Sequence, residues 1–415
     1  MKLPYWLAAS IALLASHAAN AQTLSLTDAL RAGEAQAPRL AAQRFAMASA
    51  GYQVDRAAEL PDPRLKLGIE NLPVNGNDRF RYDRDFMTQR TVGVMQEFPS
   101  SEKRAARNER ASRQRDFEGA NLAAQRALVQ RDIALAWLEA WYAEQSRTVL
   151  LRLVEQFRLQ NAAAPSGVAR GRQTVADGFA ARTALEQAND RVIEQERTVA
   201  KARNALAAWI GPDAGRPLAP PPDTARFAHA PDHLVETLSE HPTLRVYDER
   251  EALAQAEVAL AKSTRERDWS LEVGYSQRAP AFSNMISVVV AIDLPFAKER
   301  RQDRDVASKL AEVEQARALR EEARRMHEAE IKNMLADWGT AQKRVERFAG
   351  VLLPLARERR EAALAAYQGG RGELPAVLEA ERALTETELA RLQSEAERAR
   401  AWAGLNFLNP GEGKS

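Results

Sequence analysis

Cysteine is absent from all 415 residues of the chain. The sequence therefore offers no disulfide framework, no thiolate metal site and no cysteine nucleophile. Glycine is scarce, at 20 residues, whereas alanine, leucine, glutamate and arginine fill long stretches. That composition favours long helices over a doubly wound sheet. An excess of one charge is also missing, because 59 Lys and Arg residues balance 57 Asp and Glu residues along the chain. No basic tract indicates a nucleic-acid partner.

Long apolar runs are lacking too, apart from a short one at the N-terminus. Lys2 precedes an apolar core at 7–14 and a small-residue site, A-N-A, at 19–21. This pattern predicts a cleaved signal peptide over residues 1–21, and hence export. The rest of the chain has no apolar run of the ~20 residues that a membrane-spanning helix needs. Residence in a membrane would therefore require a β-barrel.

The remaining chain repeats one pattern twice, over residues 22–211 and 232–410. Each copy opens with a short helix that a proline ends, Pro38 in the first and Pro242 in the second. A helix of about twenty residues follows, then two alternating segments, a long helix, a small turn and a returning helix. Between the copies, residues 212–231 contain six prolines, which predicts an extended linker without helix or central strand.

Period-two alternation of apolar with polar or small residues predicts four strands. They lie at about 63–71, 90–98, 268–276 and 285–294. The apolar face that we expect to contact lipid contains Leu65, Leu67, Ile69, Trp269, Leu271, Val273, Ile286, Val288, Val290 and Ile292. Each segment has about the 9–11 residues that a tilted strand needs to cross a bilayer. A membrane barrel needs at least eight strands, so the chain must assemble with copies of itself. Two or three copies satisfy this requirement, and twelve strands suit a transport pore better than eight.

The other segments predict helices far longer than the average of about 11–12 residues. Long helices are expected at about 101–163 and 298–367, returning helices at about 172–210 and 376–407, and a tail at 411–415. Pro354 should kink the second long helix. Such lengths suit antiparallel coiled coils, and a globular enzyme has little use for helices of this geometry. The predicted fold class is mainly α with a small β part, in a duplicated protomer.

Metal and catalytic sites are not indicated. His229 and His233 are four apart, but Pro231 between them prevents a shared helical face. Met326 and His327 point to different sides of a helix. Phosphate-loop, nucleophile-elbow and zinc-protease motifs are absent. We therefore expect no enzyme activity, no cofactor and no bound metal.

Two short runs carry a resemblance to a known family. The first is Tyr367-Gln368-Gly369-Gly370-Arg371-Gly372, followed by Val377-Leu378-Glu379-Ala380. Together with the duplicated pattern, it resembles the TolC family of outer-membrane efflux channels, whose tip motif has an aromatic, a glycine turn and a Val-Leu-acid-Ala helix start. The second is Gln96-Glu97-Phe98-Pro99 with Lys103-Arg104 and Arg107. It resembles the strand-to-helix junction of the family's heavy-metal branch.

The resemblance implies a homotrimer with a twelve-stranded barrel and an α-helical tunnel through the periplasm. Its implied partners are a periplasmic adaptor (membrane fusion) protein, an inner-membrane RND-type pump and outer-membrane lipid. The implied function is a passive exit duct, with heavy-metal cations as the expected cargo. Drug efflux and type I protein secretion stay open within this class. A soluble periplasmic coiled-coil adaptor is the alternative from another class, and the apolar strand faces argue against it.

The resemblance also suggests a gate. Arg371 and Glu379 flank the second turn, where three copies would crowd around an axis, so ion pairs between subunits could hold the tip closed. Tyr367, Gly370 and Gly372 belong to the same turn. Ordinary solvated charge is the competing interpretation, since surface pairs contribute only about 0–1 kcal/mol. Gly167 and Gly171 in the first turn, with Gly369 in the second, are the expected contacts for the adaptor.

Overall fold

The structure is a computed structural model that describes residues 23–169, 173–227 and 236–408. The predicted signal peptide and the predicted tail at 411–415 lie outside these residues. Helices dominate, and one small antiparallel sheet accompanies them, which confirms the predicted fold class. Among the described residues, no helix contains a stretch that is both long and apolar enough to cross a membrane.

The described ranges contain eight α-helices and four strands, numbered here in chain order. The helices are α1 Leu26–Gln36, α2 Pro38–Ala57, α3 Ser101–Ala169, α4 Val175–Ile210, α5 Pro242–Ser263, α6 Gln302–Arg347, α7 Leu353–Gln368 and α8 Leu374–Asn406. The strands are β1 Arg64–Glu70, β2 Gln89–Phe98, β3 Trp269–Gln277 and β4 Met285–Ile292.

Prolines mark the starts of two helices, as the sequence indicated. Pro38 is the first residue of α2, and Pro242 is the first residue of α5. Proline is well tolerated there, because the first N–H groups of a helix have no partner within the helix. Before Pro242, Glu236 is helical and Leu238–Glu240 form a short 3₁₀ turn. The rest of the short helix that the sequence predicts there lies outside the described residues.

The first long helix extends further than predicted. We expected it to end near residue 163, but α3 continues through Pro165 to Ala169. A proline inside a helix removes one backbone hydrogen bond and displaces the carbonyl four residues earlier. Because α3 ends four residues after Pro165, the disruption, which lies at the Asn161 carbonyl, is confined to the last two to three turns of the helix. The hydroxyl of Ser166 also donates to the Ala163 carbonyl, at 2.9 Å.

The second long helix is interrupted at Pro354. A π-helical turn, Phe348–Leu352, separates α6 from α7, and Pro354 lies in the first turn of α7. A π-turn accommodates an extra residue in the helix, which moves the preceding backbone away from the proline ring. The interruption therefore has a local cause in the sequence.

The proline-rich segment is more ordered than the predicted extended linker. Residues Gly211–Gly215 form a 3₁₀ turn, which corrects the expectation that no helix would occur there. Leu24 then pairs with the segment in parallel, donating from its amide to Pro217 O at 2.7 Å and accepting from Ala219 N at 3.0 Å. A 3₁₀ turn tolerates Pro212 because its first N–H groups need no internal partner. Residues 228–231 of the segment lie outside the described ranges.

Three tryptophans hold extended segments against the helices. Trp137, Trp338 and Trp402 lie in α3, α6 and α8, and Trp137 is fully buried. Their indole nitrogens donate to the carbonyls of Leu24 (3.2 Å), Thr224 (3.0 Å) and Arg226 (3.1 Å), respectively. Buried indoles usually satisfy their single donor in this way. These side chains are therefore structural.

The chain packs as two compact units. The first contains the described residues of 1–40, 125–241 and 326–415, and the second contains 41–124 and 242–325. Each unit contains segments of both sequence repeats. The boundary between the repeats, at residues 212–231, is therefore not the boundary between the units. The first unit contains the turns between the hairpin helices, and the second contains the sheet.

The sheet has the strand order β1-β2-β3-β4, and every neighbouring pair is antiparallel. Strands β1 and β2 come from the first repeat, and β3 and β4 come from the second. The outer edges of β1 and β4 have no strand partner among the described residues. Exposed edges present unpaired N–H and C=O groups, which favour pairing with another chain.

Two histidines are buried side by side in the first unit. His241 Nδ1 lies 3.1 Å from His327 Nε2, and His327 Nδ1 lies 3.4 Å from the Glu330 carboxylate. Burial, with a smaller contribution from His327, lowers the pKa of His241 to about 4. The Nε2 atom of His241 is buried and has no hydrogen-bond partner among the described residues.

We predict that mild acid destabilises the protein through His241. The unfolded chain takes up a proton at this residue near pH 6.5, whereas the folded chain resists protonation until about pH 4. This contribution to stability is therefore complete above pH 6.5 and is lost as the pH falls towards 4. The full loss is about 3 kcal/mol. Thermal unfolding measured from about pH 7.5 to 5 should show a smaller pH dependence in His241→Gln than in the wild type.

The control variant is Glu109→Gln, which removes a carboxylate from an exposed surface position. It should keep the wild-type pH dependence. An unchanged pH dependence in His241→Gln would contradict the assignment.

Candidate functional site

The register of the sheet places the predicted apolar residues on one face, because directly paired residues point to the same side. One row across the strands is Leu65–Val94–Val273–Val288, and the next is Leu67–Val92–Tyr275–Ile286. Ile69, Trp269, Leu271, Val290 and Ile292 belong to the same face. Most of these side chains are strongly exposed, up to 76% for Ile286, whereas Leu271 is half-buried. The strands therefore form one continuous apolar surface.

The opposite face of the sheet carries two ion pairs and one further carboxylate, Glu70, which accepts from the Gln89 amide at 2.8 Å. Lys66 forms an ion pair with Glu272, and Arg64 forms one with Glu97 at 2.9 Å. Lys66 crosses over Gly93 to reach the third strand, and a Cβ at Gly93 would lie 3.3 Å from Val273 O and 3.8 Å from the Glu272 carboxylate. The two faces thus differ sharply in chemistry, as period-two alternation predicts.

The strand-to-helix junction is fixed by an ion pair that sequence reasoning did not identify. Lys103, in the first turn of α3, binds the Asp268 carboxylate just before β3, and this carboxylate also accepts from Ser100 N at 3.0 Å. Burial alone would raise the pKa of Asp268, but these partners hold it below its ordinary value. The Phe98 and Trp269 rings stack at this end of the apolar face, with centroids 4.3 Å apart.

The second hairpin turn depends on two glycines. Gly370 has φ of +71°, a conformation that glycine adopts without a steric cost. Gly372 approaches the preceding helix so closely that a Cβ would lie 3.0 Å from Tyr367 N. The amides of Gly369 and Arg371 satisfy the last carbonyls of α7, those of Ala365 and Ala366, both at 2.9 Å.

The first hairpin turn is only partly described. Gly167 lies in the last turn of α3, and Gly171 lies outside the described residues. The side chain of Gln173 occupies the space where a Cβ at Gly167 would be. Thr174 and Asp177 then form a reciprocal capping box that begins α4, with Asp177 N donating to Thr174 Oγ1 at 3.2 Å.

The two turns are joined directly. Gln173 Nε2 donates to the hydroxyl of Tyr367. Gln173 directly precedes Thr174, the N-cap of α4, and Tyr367 lies at the end of α7, so this bond connects the first turn to the second. Beneath this contact lies an apolar cluster from α3, α4 and α8: Leu153, Phe157, Ala181, Ala184, Ala188, Leu374 and Leu378. Tyr367 packs against it from α7. The ends of both helical hairpins therefore form one packed tip.

The residues of the predicted gate lie at this tip, but they do not contact each other within the chain. Arg371 is exposed and forms no ion pair with a described residue. Glu379 is also exposed and pairs with Arg382 one turn later, at 3.4 Å. A role for Arg371 and Glu379 between subunits stays a prediction, as do the adaptor contacts of the turn glycines.

A buried ion pair next to the tip was missed from the sequence. Arg360 Nε lies 2.7 Å from Glu381, a carboxylate whose side chain is only 7% exposed. The centre of the turn falls between Gly370 and Arg371, and Arg360 and Glu381 lie the same number of residues before and after it. In an antiparallel hairpin this spacing brings residues opposite each other, so hairpin symmetry was a usable signal.

No group of three or more His, Asp or Glu side chains is arranged to hold a metal ion in the described part of the chain. His229 and His233 lie outside that part. Met326 is 68% exposed while His327 is buried, so the neighbours face different environments.

No family model matches the sequence, and comparison with curated proteins by sequence finds no match either. Solved structures do match. CusC, whose crystal structures concern folding and transmembrane channel formation, is 16% identical with a TM-score of 0.76, covering 94% of this chain and 92% of its own. The outer membrane protein VceC of Vibrio cholerae is 18% identical with a TM-score of 0.75, covering 93% of this chain and 95% of its own.

A third similar structure is the outer membrane channel MtrE of Neisseria gonorrhoeae in its open state. It is 17% identical with a TM-score of 0.74, and the match covers 92% of this chain and 88% of MtrE. The matches thus span the helical hairpins and the sheet together. The chain has the fold of the TolC family of outer-membrane channels.

Proposed function

We propose that this chain is one subunit of the outer-membrane channel of a tripartite efflux system. The observation that carries the proposal is the exposed apolar face of the sheet, where Leu65, Val94, Val273 and Val288 align across all four strands. Monomeric soluble proteins rarely expose an apolar surface of this size. Lipid is the environment that makes such a face favourable. The likeness to solved outer-membrane channels supports the same conclusion.

The open edges of the sheet support assembly with further copies. In lipid, an unpaired strand edge leaves backbone groups without partners, and each such group costs several kcal/mol. Pairing β4 of one subunit with β1 of the next satisfies both edges. Three copies then supply twelve strands, enough for an open pore. We therefore infer a homotrimer in the outer membrane, exported through the predicted signal peptide.

The charged face of the sheet would then line the pore, and the hairpins would form a periplasmic tunnel. An inner-membrane RND-type pump would drive transport through a periplasmic adaptor that docks at the tip. The channel itself would be a passive duct without enzyme activity. Heavy-metal cations are the preferred cargo, supported by the likeness of the Gln96–Pro99 junction to the family's heavy-metal branch. Drugs and secreted polypeptides remain the competing cargoes.

Fractionation tests the proposal directly. We expect the full-length protein, expressed with its leader, to remain in the outer-membrane fraction until detergent releases it, because its apolar face needs lipid. Native mass spectrometry of the solubilised complex should give the mass of three subunits. Recovery of a water-soluble monomer would instead support the alternative of a soluble adaptor.

We predict that Val288→Arg prevents insertion, whereas the neighbouring Val289→Arg does not. Val288 is 65% exposed on the apolar face, and an arginine facing lipid at mid-depth costs about 2–4 kcal/mol per subunit. Val289 lies on the opposite face, paired with Glu272, where an arginine gains an acidic partner. The amount of trimer in the outer-membrane fraction measures the difference. Equal assembly of the two variants would rule out lipid contact at Val288.

We predict that Arg371→Ala combined with Glu379→Ala opens the channel. If each of three symmetry-related pairs contributes about 1 kcal/mol, removing all three shifts the closed–open equilibrium by about 3 kcal/mol, or roughly 100-fold. Conductance in planar bilayers measures the shift.

The matched control for the gate is Arg113→Ala combined with Glu109→Ala, which removes an exposed pair at 2.8 Å near the N-terminal end of α3, far from the tip in sequence. Arg382→Ala separately removes the intrachain partner of Glu379. Unchanged conductance in the double tip variant, or an equal increase in the control, would refute the gate.

A further inference from the structure

The two loops at the end of the sheet away from the helices form an ordered structure. In the loop at 71–88, Phe80 N donates to Pro73 O at 2.7 Å, and the buried hydroxyl of Thr88 donates to Asn71 O at 2.9 Å. Asn71 and Phe80 have φ of +55° and +57°, a left-handed conformation that asparagine adopts readily but that is unusual for a residue as bulky as phenylalanine. The surrounding hydrogen bonds hold this conformation, so the loop presents its side chains in fixed positions.

Large apolar side chains are exposed throughout this loop. They are Val74 (68%), Phe80 (57%), Tyr82 (53%), Phe86 (59%) and Met87 (53%). They adjoin the end of the apolar face, at the level where aromatic side chains meet the boundary between lipid and water.

Three arginines in these loops and at the adjoining end of β2 lie over aromatic rings. The guanidinium carbons of Arg79 and Arg90 lie 4.8 and 5.2 Å from the ring centres of Phe80 and Tyr82. Arg278, in the second loop, lies 5.1 Å from the Phe282 ring and also donates to the carbonyl of Phe86. None of these three arginines forms an ion pair with a carboxylate in the described part of the chain. Apart from the N–H that Arg278 donates to Phe86, their N–H groups are not occupied by any carboxylate of the described residues and are therefore available to an external anion.

Arg90 is the arginine that lies on the apolar face itself, at the loop end of β2. It pairs with Ile69 on one side and Gln277 on the other, and it points to the same face as Val92. The apolar face therefore ends in a cation at its loop end. Nearby aspartates do not neutralise this arginine, and Asp85 instead accepts from Met87 N at 2.7 Å.

We propose that this rim, defined by Arg90, Tyr82, Arg79 and Arg278, binds the phosphate groups of membrane lipid. A guanidinium donates two parallel hydrogen bonds to phosphate oxygens, and the rings contact the first carbons of the acyl chains. An uncharged lipid would leave the arginines without partners. The proposal rests on the proposed function, because it requires the apolar face to be in a bilayer.

The test uses the detergent-solubilised full-length complex, titrated with diphosphoryl lipid A, a dephosphorylated lipid A and inorganic phosphate. Native mass spectrometry counts the bound lipid. We expect retention of the diphosphoryl form, weaker retention of the dephosphorylated form, and no competition from inorganic phosphate. Arg90→Gln should weaken binding of the diphosphoryl form about tenfold, because a charge-assisted pair is lost. Tyr82→Leu should have a smaller effect in the same direction.

The control is Arg64→Gln, which removes an arginine from the opposite face of the same sheet. It should bind lipid as the wild type does. Equal loss in Arg64→Gln would indicate attraction to the total charge only, and wild-type binding by Arg90→Gln would overturn the rim. Full displacement by inorganic phosphate would indicate a site for the free anion and would also overturn it.

Insertion of the wild type into phosphatidylcholine vesicles is measured in parallel. A protein that inserts but does not distinguish the two forms of lipid A refutes the rim alone. A protein that fails to insert refutes the proposed function as well.

Discussion

The antiparallel register of four strands decides which side chains share a surface, and the properties of the sheet depend on it. A shift of one residue between β2 and β3 would exchange the apolar and charged faces on half of the sheet. The observed register instead aligns Val94 with Val273 and leaves Lys66 and Glu272 together on the other side. Since β2 and β3 come from different repeats, the central pairing joins the two halves of the duplicated sequence. Neither repeat alone would have an apolar face of useful width.

The same logic applies to the hairpin tip, where backbone geometry sets side-chain contacts. Gly370 and Gly372 close the second turn tightly enough for Tyr367 to lie against the apolar cluster and to accept from Gln173. The buried Glu381 is compensated by Arg360 across the hairpin. Removing one partner of such a pair leaves a charge that burial penalises, so the pair stabilises one alignment of α7 against α8. The tip thus combines a firm hairpin with exposed charges at Arg371 and Glu379.

Much of the fold was predictable because its signals are local. Alternation identified the strands and their apolar faces, since successive side chains of any strand point to opposite sides. Prolines located the starts of α2 and α5. Contacts between distant residues were not predictable: His241 and His327 are 86 positions apart and follow no periodic pattern. The order in the segment after Ile210 was missed for a similar reason, because its backbone partner is Leu24, near the other end of the repeat. Contacts across a helical hairpin are predictable once the turn is located. Arg360 and Glu381 lie the same number of residues from the centre of the turn, and this spacing places them opposite each other.

The pairing of charges also bears on how a duct of this kind could work. If the face with Lys66 and Glu272 lines a pore, these two charges neutralise each other, and Arg64 with Glu97 repeats the arrangement. Glu70, on the same face, accepts from the Gln89 amide and forms no ion pair with a described residue. An unpaired ring of carboxylates would bind a cation strongly and delay its release, whereas conduction needs binding weak enough for exit. Paired charges keep the wall of the pore hydrated without creating a site that binds a cation tightly. In the efflux system proposed above, discrimination among cargoes would then depend on the proposed pump and adaptor, and the channel would set only the size and the route of what leaves.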